Sequence, residues 1–192
     1  MNKRNTELVI RADLLSDSSN FTSKLIIAGF PGVGKSTAAK NRPEIFVDME
    51  SSDYHWVYKD GTKCVNPEWP NNYITAIIEQ ADKPYDSNHR YLYVCTSTHK
   101  EVLDEFRARG LYYTAIVPKT KSLYLQRYRD RGSSQEFIDL LDKKFEEFIE
   151  DIEKSSAFGI YYTDVYLQNV YLGGCDDNVT PDFTNLNTNE EN

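Results

Sequence analysis

The sequence predicts an α/β domain built on a mostly parallel five-stranded sheet flanked by helices. Short apolar runs alternate with longer amphipathic stretches, and a glycine-rich turn joins the first run to the first of those stretches. The 192 residues are 40% hydrophobic and 27% charged, enough for one domain with a sizeable core. Wholly disordered, coiled-coil and collagen-like classes are thereby excluded.

Five apolar runs predict the strands, at residues 24–28, 45–48, 91–96, 112–117 and 159–163. Amphipathic stretches predict helices at residues 35–41, 72–81, 100–109, 122–130 and 134–154. The last helix is the clearest, because apolar residues such as Leu141, Phe145 and Phe148 recur at three- and four-residue steps. We therefore expect it to lie against the sheet or over its edge.

Both ends of the chain are poor in the apolar residues that a core needs. Residues 1–20 are expected to form a flexible N-terminal segment and residues 175–192 a flexible acidic tail, around a domain at residues 21–174. Within that domain, residues 51–73 form a long connection that contains both tryptophans. A connection of this length is typical of a functional insertion.

The chain is acidic, with 22 Lys and Arg against 30 Asp and Glu and a formal net charge of −8. This charge disfavours general attraction to a nucleic-acid backbone, although a local groove would permit binding. The three cysteines are widely spaced, and the sequence shows neither a signal peptide nor a membrane span. We therefore expect a cytoplasmic protein with no membrane partner. Any phosphate that it binds should be held by a local group of residues rather than by the net charge of the protein.

Residues 29–36 read Gly-Phe-Pro-Gly-Val-Gly-Lys-Ser and fit the pattern G-x-x-x-x-G-K-[ST] between a strand and a helix. Such a loop turns its backbone N–H groups towards a phosphate, and the start of the helix adds partial positive charge. Lys35, expected to face solvent, would reach the β- and γ-phosphates, and Ser36 would ligate Mg²⁺. The alternative is a glycine-rich turn capped by Ser36. The predicted nucleotide-binding residues are Gly29, Pro31, Gly32, Val33, Gly34, Lys35, Ser36 and Thr37.

This stretch resembles the Walker A motif of P-loop nucleoside triphosphate-binding proteins. From residue 24 to about 172 the chain is similar in size and pattern to the nucleoside- and nucleotide-kinase-like branch. The resemblance implies a three-layer P-loop sandwich, a sheet of order 2-3-1-4-5, a small mobile lid, and ATP with Mg²⁺ as cofactors. The third predicted strand ends in Thr-Ser-Thr-His, without the acidic residue that motor and AAA-type ATPases carry there.

Asp48 and Glu50 follow the second predicted strand at positions i and i+2, on one face of an extended chain. Ligands of open α/β sheets bind beyond the carboxyl ends of strands. The pair resembles the D-x-D or D-x-E of shikimate-type and related kinases. The resemblance implies that Asp48 accepts the hydroxyl proton and assists the metal, and that Glu50 holds substrate. Alternatively, the pair is ordinary loop composition and Asp48 caps a helix that begins near Ser51.

Arg127, Arg129 and Arg131 follow the fourth predicted strand, and the first and last lie four apart on one helical face. The stretch resembles the R-x-x-x-R lid of nucleotide kinases, which implies a lid over residues 122–134. Guanidinium groups chelate phosphate oxygens, so Arg127 and Arg131 join Lys35 and Asp48 as catalytic candidates. The alternative is an exposed helix end, where basic residues favour the dipole.

The aromatic insertion lies where nucleotide kinases place their acceptor-binding segment. Aromatic faces stack on bases, and short polar side chains bind their edges. The candidate acceptor-binding residues are Glu50, Ser52, Tyr54, Trp56 and His99. Alternatively, the aromatic residues pack the insertion itself and His99 is a surface residue.

These features predict an ATP- and Mg²⁺-dependent phosphotransferase that acts on a nucleoside, a nucleotide or a nucleotide-like small molecule. Two alternatives stay open. One is a kinase acting on a nucleic-acid end or base, and the other is a nucleotide-binding regulatory module with slow hydrolysis. A guanine-reading N-K-x-D stretch does not occur, which argues against a GTPase switch.

Overall fold

The computed structural model describes residues 25–83 and 93–170 of the chain. These residues belong to one compact unit. The N-terminal segment and the acidic tail predicted at residues 1–20 and 175–192 lie outside the described residues.

Five parallel strands form the central sheet, and two more form a separate antiparallel hairpin. In chain order the strands are β1 Leu25–Gly29, β2 Phe46–Asp48, β3 Trp56–Lys59, β4 Thr62–Val65, β5 Tyr93–Thr96, β6 Tyr113–Pro118 and β7 Gly159–Thr163. The order across the sheet is β2-β5-β1-β6-β7, with every neighbouring pair parallel. Strands β5 and β6 are buried along their whole length, as continuous apolar runs in a covered parallel sheet should be.

Six α-helices in the described part of the chain connect and flank these strands. They are α1 Lys35–Asn41, α2 Ser52–His55, α3 Asn71–Asp82, α4 Lys100–Ala108, α5 Lys121–Asp130 and α6 Gln135–Glu153. Helix α6 begins where Ser134 accepts a hydrogen bond from the backbone N–H of Phe137, and it buries Leu141 and Phe145 among others. The predicted α/β fold, with a five-stranded parallel sheet flanked by helices, is confirmed. No helix in residues 25–83 and 93–170 is long and apolar enough to cross a membrane.

The long connection predicted at residues 51–73 is largely regular structure. It contains α2, the β3–β4 hairpin and the start of α3. Asp60 and Gly61 form the two-residue turn of the hairpin, with φ of 51° and 76°. Both residues adopt the left-handed region that this turn type requires. The dipeptide Asp-Gly is a hairpin signal, so this element could have been predicted from the sequence.

The segment predicted as a lid, residues 122–134, is mostly helix α5. Tyr124, Leu125 and Tyr128 of this helix are buried, so its inner face is part of the core. Helix α5 packs against α6, which follows it after a short turn. Any movement of this segment would therefore have to break core contacts, or be confined to its exposed side chains.

Candidate functional site

The loop between β1 and α1 has the backbone geometry that an anion site needs. Gly32 and Gly34 have φ of +83° and +93°, a region that residues with a Cβ atom rarely adopt. A Cβ atom on Gly32 would also lie 2.7 Å from the hydroxyl oxygen of Tyr128. The first N–H groups of α1 have no partner within the helix and point towards the loop side. The loop can therefore surround a phosphate with N–H donors.

Lys35 is held against the loop, so the expectation that its side chain faces solvent was wrong. Its side chain is half-buried, and Nζ donates to the carbonyl oxygen of Gly29 at 2.8 Å. Burial lowers the pKa of Lys35, and the nearby Asp48 carboxylate partly opposes that change. The ammonium group is thus positioned at the loop by a carbonyl oxygen. A phosphate oxygen could take the place of the carbonyl.

Asp48 lies beside the start of α1, although it is far from it along the chain. Ser36 Oγ donates to Asp48 Oδ2 at 2.6 Å. The other carboxylate oxygen, Oδ1, is buried and has no partner among the described residues. Burial raises the pKa of Asp48, while the hydrogen bond from Ser36 lowers it. Helix α2 has Ser51 as its N-cap residue, so the alternative in which Asp48 caps that helix is wrong.

Ser36 and Asp48 offer the hard oxygen atoms that Mg²⁺ binds. Within residues 25–83 and 93–170, no group of three or more His, Cys, Asp and Glu side chains could hold a metal ion. A magnesium ion in such a site usually keeps several waters and takes one or two protein oxygens together with substrate phosphates. The unpartnered Asp48 Oδ1 fits a water of such an ion.

Arg127 is stacked between two tyrosines. Its guanidinium carbon lies 4.5 Å from the ring centroid of Tyr124 and 4.3 Å from that of Tyr166. Nη2 donates to the carbonyl oxygen of Asp164, and Nη1 is buried without a partner in the described part of the chain. Because Arg127 is half-buried and held on both faces, the interpretation as a freely exposed helix end does not apply to it.

Arg131 is more exposed than Arg127 and lies over a different ring. Its guanidinium carbon is 4.6 Å from the ring centroid of Tyr128, and Nε donates to Ser133 Oγ at 2.8 Å. Arg127 and Arg131 both line the cavity that the phosphate loop also lines. Two guanidinium groups therefore face the same space as Lys35.

This cavity has a volume of about 1350 Å³ and runs from the phosphate loop to the space between α4 and α6. Every predicted site residue lines it except Val33, Asp48 and Tyr54. The Val33 side chain is fully buried, so only its backbone could serve a nucleotide. Asp48 meets the cavity through Ser36. The structure thus brings most of the predicted residues to one place.

The aromatic residues of the insertion form a stack. His55 lies between Trp56 and Trp69, with both centroid distances 4.4 Å. Lys63 Nζ lies 4.4 Å from the Trp56 ring centroid, and the Trp69 ring stacks on Tyr73 at 5.4 Å. Of these rings, His55 and Trp56 line the cavity.

Trp56 and Trp69 therefore have neighbours on both faces. A base could stack on Trp56 only by displacing Lys63 or His55. Tyr54 packs against Tyr73 at 5.1 Å and is not among the described residues of the cavity wall. Most of these rings therefore fit the alternative in which the aromatic residues pack the insertion itself.

Tyr73 ties together the ends of two strands that carry candidate residues. Its buried hydroxyl donates to the carbonyl oxygen of Met49 at 2.5 Å and accepts from the N–H of Ser97 at 3.1 Å. His99 lies just beyond, with Nδ1 3.1 Å from Ser97 Oγ and its ring edge against Trp69. Tyr73 thereby sets the relative position of the Asp48 and His99 segments.

The end of the cavity away from the loop is acidic. Four carboxylate side chains from α4 and α6 line that part, those of Glu101, Asp104, Glu147 and Asp151, whereas Glu50 lies near Lys35 at the loop end. Lys100 also lies there, but its ammonium group is paired with Asp104 at 2.5 Å. The cations of the phosphate loop and of α5 lie at the opposite end. The cavity thus has a cationic end and an anionic end.

Tyr128 and Tyr166 are the site residues that the sequence analysis missed. Tyr128 faces Gly32, and a Cβ atom on Gly34 would lie 2.9 Å from Tyr166. The spacing between Tyr128 and Arg131 on one predicted helix was a signal for the first. No local sequence pattern predicts the position of Tyr166, because this residue lies beside the loop only once the chain has folded.

The loop, the Ser36–Asp48 contact and the two arginines share one cavity, whose far end is acidic. Comparison of the chain with protein-family models finds no match, and comparison with curated proteins finds no match either.

Proposed function

We propose that the protein is an ATP- and Mg²⁺-dependent phosphotransferase that moves the γ-phosphate to a hydroxyl group of a nucleoside-like small molecule. The observation that carries this proposal is the contact between Ser36 and Asp48 at the start of α1. It joins the serine of a G-x-x-x-x-G-K-S loop to a carboxylate that has one oxygen still unpartnered in the described structure. A loop that serves only as a turn needs neither that carboxylate nor a cavity above it.

The strand order supports the same proposal. When the five strands of the central sheet are numbered among themselves, β2-β5-β1-β6-β7 becomes 2-3-1-4-5. This is the order that the resemblance to the nucleotide-kinase-like branch implies. We therefore infer a P-loop sandwich, with the phosphate loop after the central strand.

In the proposed reaction, the loop N–H groups and Lys35 bind the β- and γ-phosphates. A bound magnesium ion would neutralise phosphate charge, held through Ser36 and, by way of water, Asp48. The acceptor hydroxyl oxygen forms a bond to the γ-phosphorus while the bond to the β–γ bridging oxygen breaks and ADP leaves. Asp48 accepts the hydroxyl proton, and Arg127 and Arg131 stabilise the charge on the transferred group.

The acidic end of the cavity narrows the class of acceptor. Carboxylates such as Glu101 and Asp151 repel an acceptor that carries its own phosphate. Hydroxyl and amino groups are good partners for carboxylates. Among the acceptors considered, this favours a nucleoside or similar uncharged molecule over a nucleotide or a nucleic-acid end.

A panel of acceptors tests the proposal. Nucleosides, nucleoside monophosphates, sugars and oligonucleotides are each supplied with ATP and Mg²⁺, and ADP release is compared with a blank without acceptor. We expect release above the blank with at least one uncharged acceptor and much less with its monophosphate. ADP release that no acceptor increases would contradict the proposal and favour the regulatory module. Activity confined to oligonucleotides would favour the nucleic-acid kinase.

The rate should depend on pH through Asp48. Burial raises the pKa of this carboxyl above 3.8, the usual value for aspartate. Only the ionised form can accept a proton, so kcat should fall as the pH drops through the raised pKa. A pH–rate profile at saturating ATP and acceptor measures this, with the melting temperature recorded at each pH as a control. A rate that stays constant down to the pH at which the melting temperature falls would contradict the proposed role.

A further inference from the structure

The hydroxyl group of Tyr128 is buried at the phosphate loop and lacks a hydrogen-bond partner in residues 25–83 and 93–170. The residue is 1% exposed, and its hydroxyl oxygen has no partner among the described residues. A Cβ atom on Gly32 would lie 2.7 Å from that oxygen, and Tyr128 lines the cavity. A buried polar group normally has a partner, because an unpaired one loses its hydration without compensation. The unpaired hydroxyl therefore needs an explanation.

Two contacts with the ring of Tyr128 hold its hydroxyl in place. Phe137 of α6 meets the ring edge-to-face, with centroids 5.4 Å apart. The guanidinium group of Arg131 covers the ring at 4.6 Å from its centroid. Burial raises the pKa of Tyr128, so the hydroxyl stays protonated and remains a donor through the neutral range. A fixed, protonated donor thus lies beside a loop that is shaped to surround an anion.

A second unpaired donor lies one residue away along α5. Nη1 of Arg127 is also buried without a partner in the part of the chain that the structure describes. Arg127 and Tyr128 both line the cavity, together with Lys35 of the loop. Donors that lack acceptors in the free protein are complementary to a ligand that brings several acceptor oxygens.

We propose that the Tyr128 hydroxyl donates a hydrogen bond to the phosphate chain of the bound nucleotide. This inference rests on the proposed function, since it adds a further phosphate-binding residue to the same nucleotide site. It makes Tyr128 a binding residue that contacts phosphate, in addition to the loop and the two arginines. The ligand class it recognises is the polyphosphate, not the base.

Tyr128→Phe tests the inference because it removes the hydroxyl and keeps the ring. Binding of Mg·ATP and of Mg·tripolyphosphate is measured by calorimetry for the wild-type chain and the variant. The Kd for both ligands should rise by a similar factor of about ten or more, as expected for a hydrogen bond to a charged group. The melting temperature without ligand should be unchanged or higher, because an unpaired buried hydroxyl is lost.

Tyr113→Phe is the matched control. Tyr113 is also a buried tyrosine, 2% exposed, but it begins β6 at the end of the sheet away from the loop. We expect its Kd for both ligands to equal the wild-type value.

Three results with the variant would overturn the inference where the wild-type chain binds both ligands. They are an unchanged Kd in Tyr128→Phe, a weakening seen with Mg·ATP but not with Mg·tripolyphosphate, and a melting temperature lowered by several degrees. The last would show that the hydroxyl has a structural partner in the free protein. If the wild-type chain binds neither ligand, the proposed function itself is wrong, and the role of Tyr128 is overturned with it. Tight wild-type binding with an unchanged variant overturns the role of Tyr128 alone.

Discussion

Lys35→Ala should lower the rate of phosphoryl transfer by about a hundredfold to a thousandfold, which is the scale of losing one preorganised donor at a developing anion. Among the residues that the structure describes, its ammonium group has only the carbonyl oxygen of Gly29 as hydrogen-bond partner. Its strongest interaction is therefore expected with the β- and γ-phosphates, where charge is redistributed during transfer. ADP release with the best acceptor, at saturating ATP, measures the effect.

The fold should survive this change. Lys35→Ala removes one hydrogen bond worth about 1 kcal/mol, so the melting temperature should fall by roughly 2–4 °C. Lys40→Ala is the matched control, since Lys40 lies on the same helix, is exposed and does not line the described cavity. It should keep the wild-type rate. A Lys35→Ala variant that turns over as fast as wild type would refute the proposed phosphate loop.

Asp48→Asn should lower kcat by about a hundredfold or more with a much smaller change in the KM for ATP. The amide can still accept the hydrogen bond from Ser36, so the local geometry is kept. It cannot take a proton from the acceptor, and it is a poorer partner for a hydrated metal ion. Steady-state kinetics at several Mg²⁺ concentrations should therefore show both the lower kcat and a higher Mg²⁺ requirement.

Asp53→Asn provides the comparison for this variant. Asp53 lies on α2, and its negative charge is close enough to raise the pKa of Asp48. It is not among the described residues that line the cavity. We expect it to keep nearly the wild-type kcat. If Asp48→Asn lost activity only in proportion to its loss of thermal stability, the carboxylate would be structural and the proposed base would have to be sought elsewhere.

Much of the fold could be predicted because its elements have strong local signals. Helix α6 has a clear apolar period and an N-cap serine, and the structure begins and ends it within one residue of the predicted range 134–154. The β3–β4 hairpin was missed although Asp60 and Gly61 signal its turn. The aromatic content of the insertion predicted a binding loop instead.

Some contacts in the candidate site could also be predicted from the sequence, and others could not. Ser36 and Asp48 could be expected to meet, because both follow strands of one parallel sheet at its carboxyl edge. The environment of Arg127 could not be predicted. Its hydrogen bond to Asp164 spans 37 residues, and its place against Tyr166 depends on how the end of β7 returns over the loop. Such contacts follow from packing, which no local pattern encodes.

The stack around His55 also gives the protein a natural optical reporter. The chain has two tryptophans, Trp56 and Trp69, and each has its ring centroid 4.4 Å from that of the same histidine. All tryptophan emission from this chain therefore originates in one aromatic stack, in which Trp56 lines the cavity and Trp69 lies behind it, beside His99. Selective excitation of tryptophan reads events at that stack without an attached dye, and the phosphate loop contributes no tryptophan signal of its own.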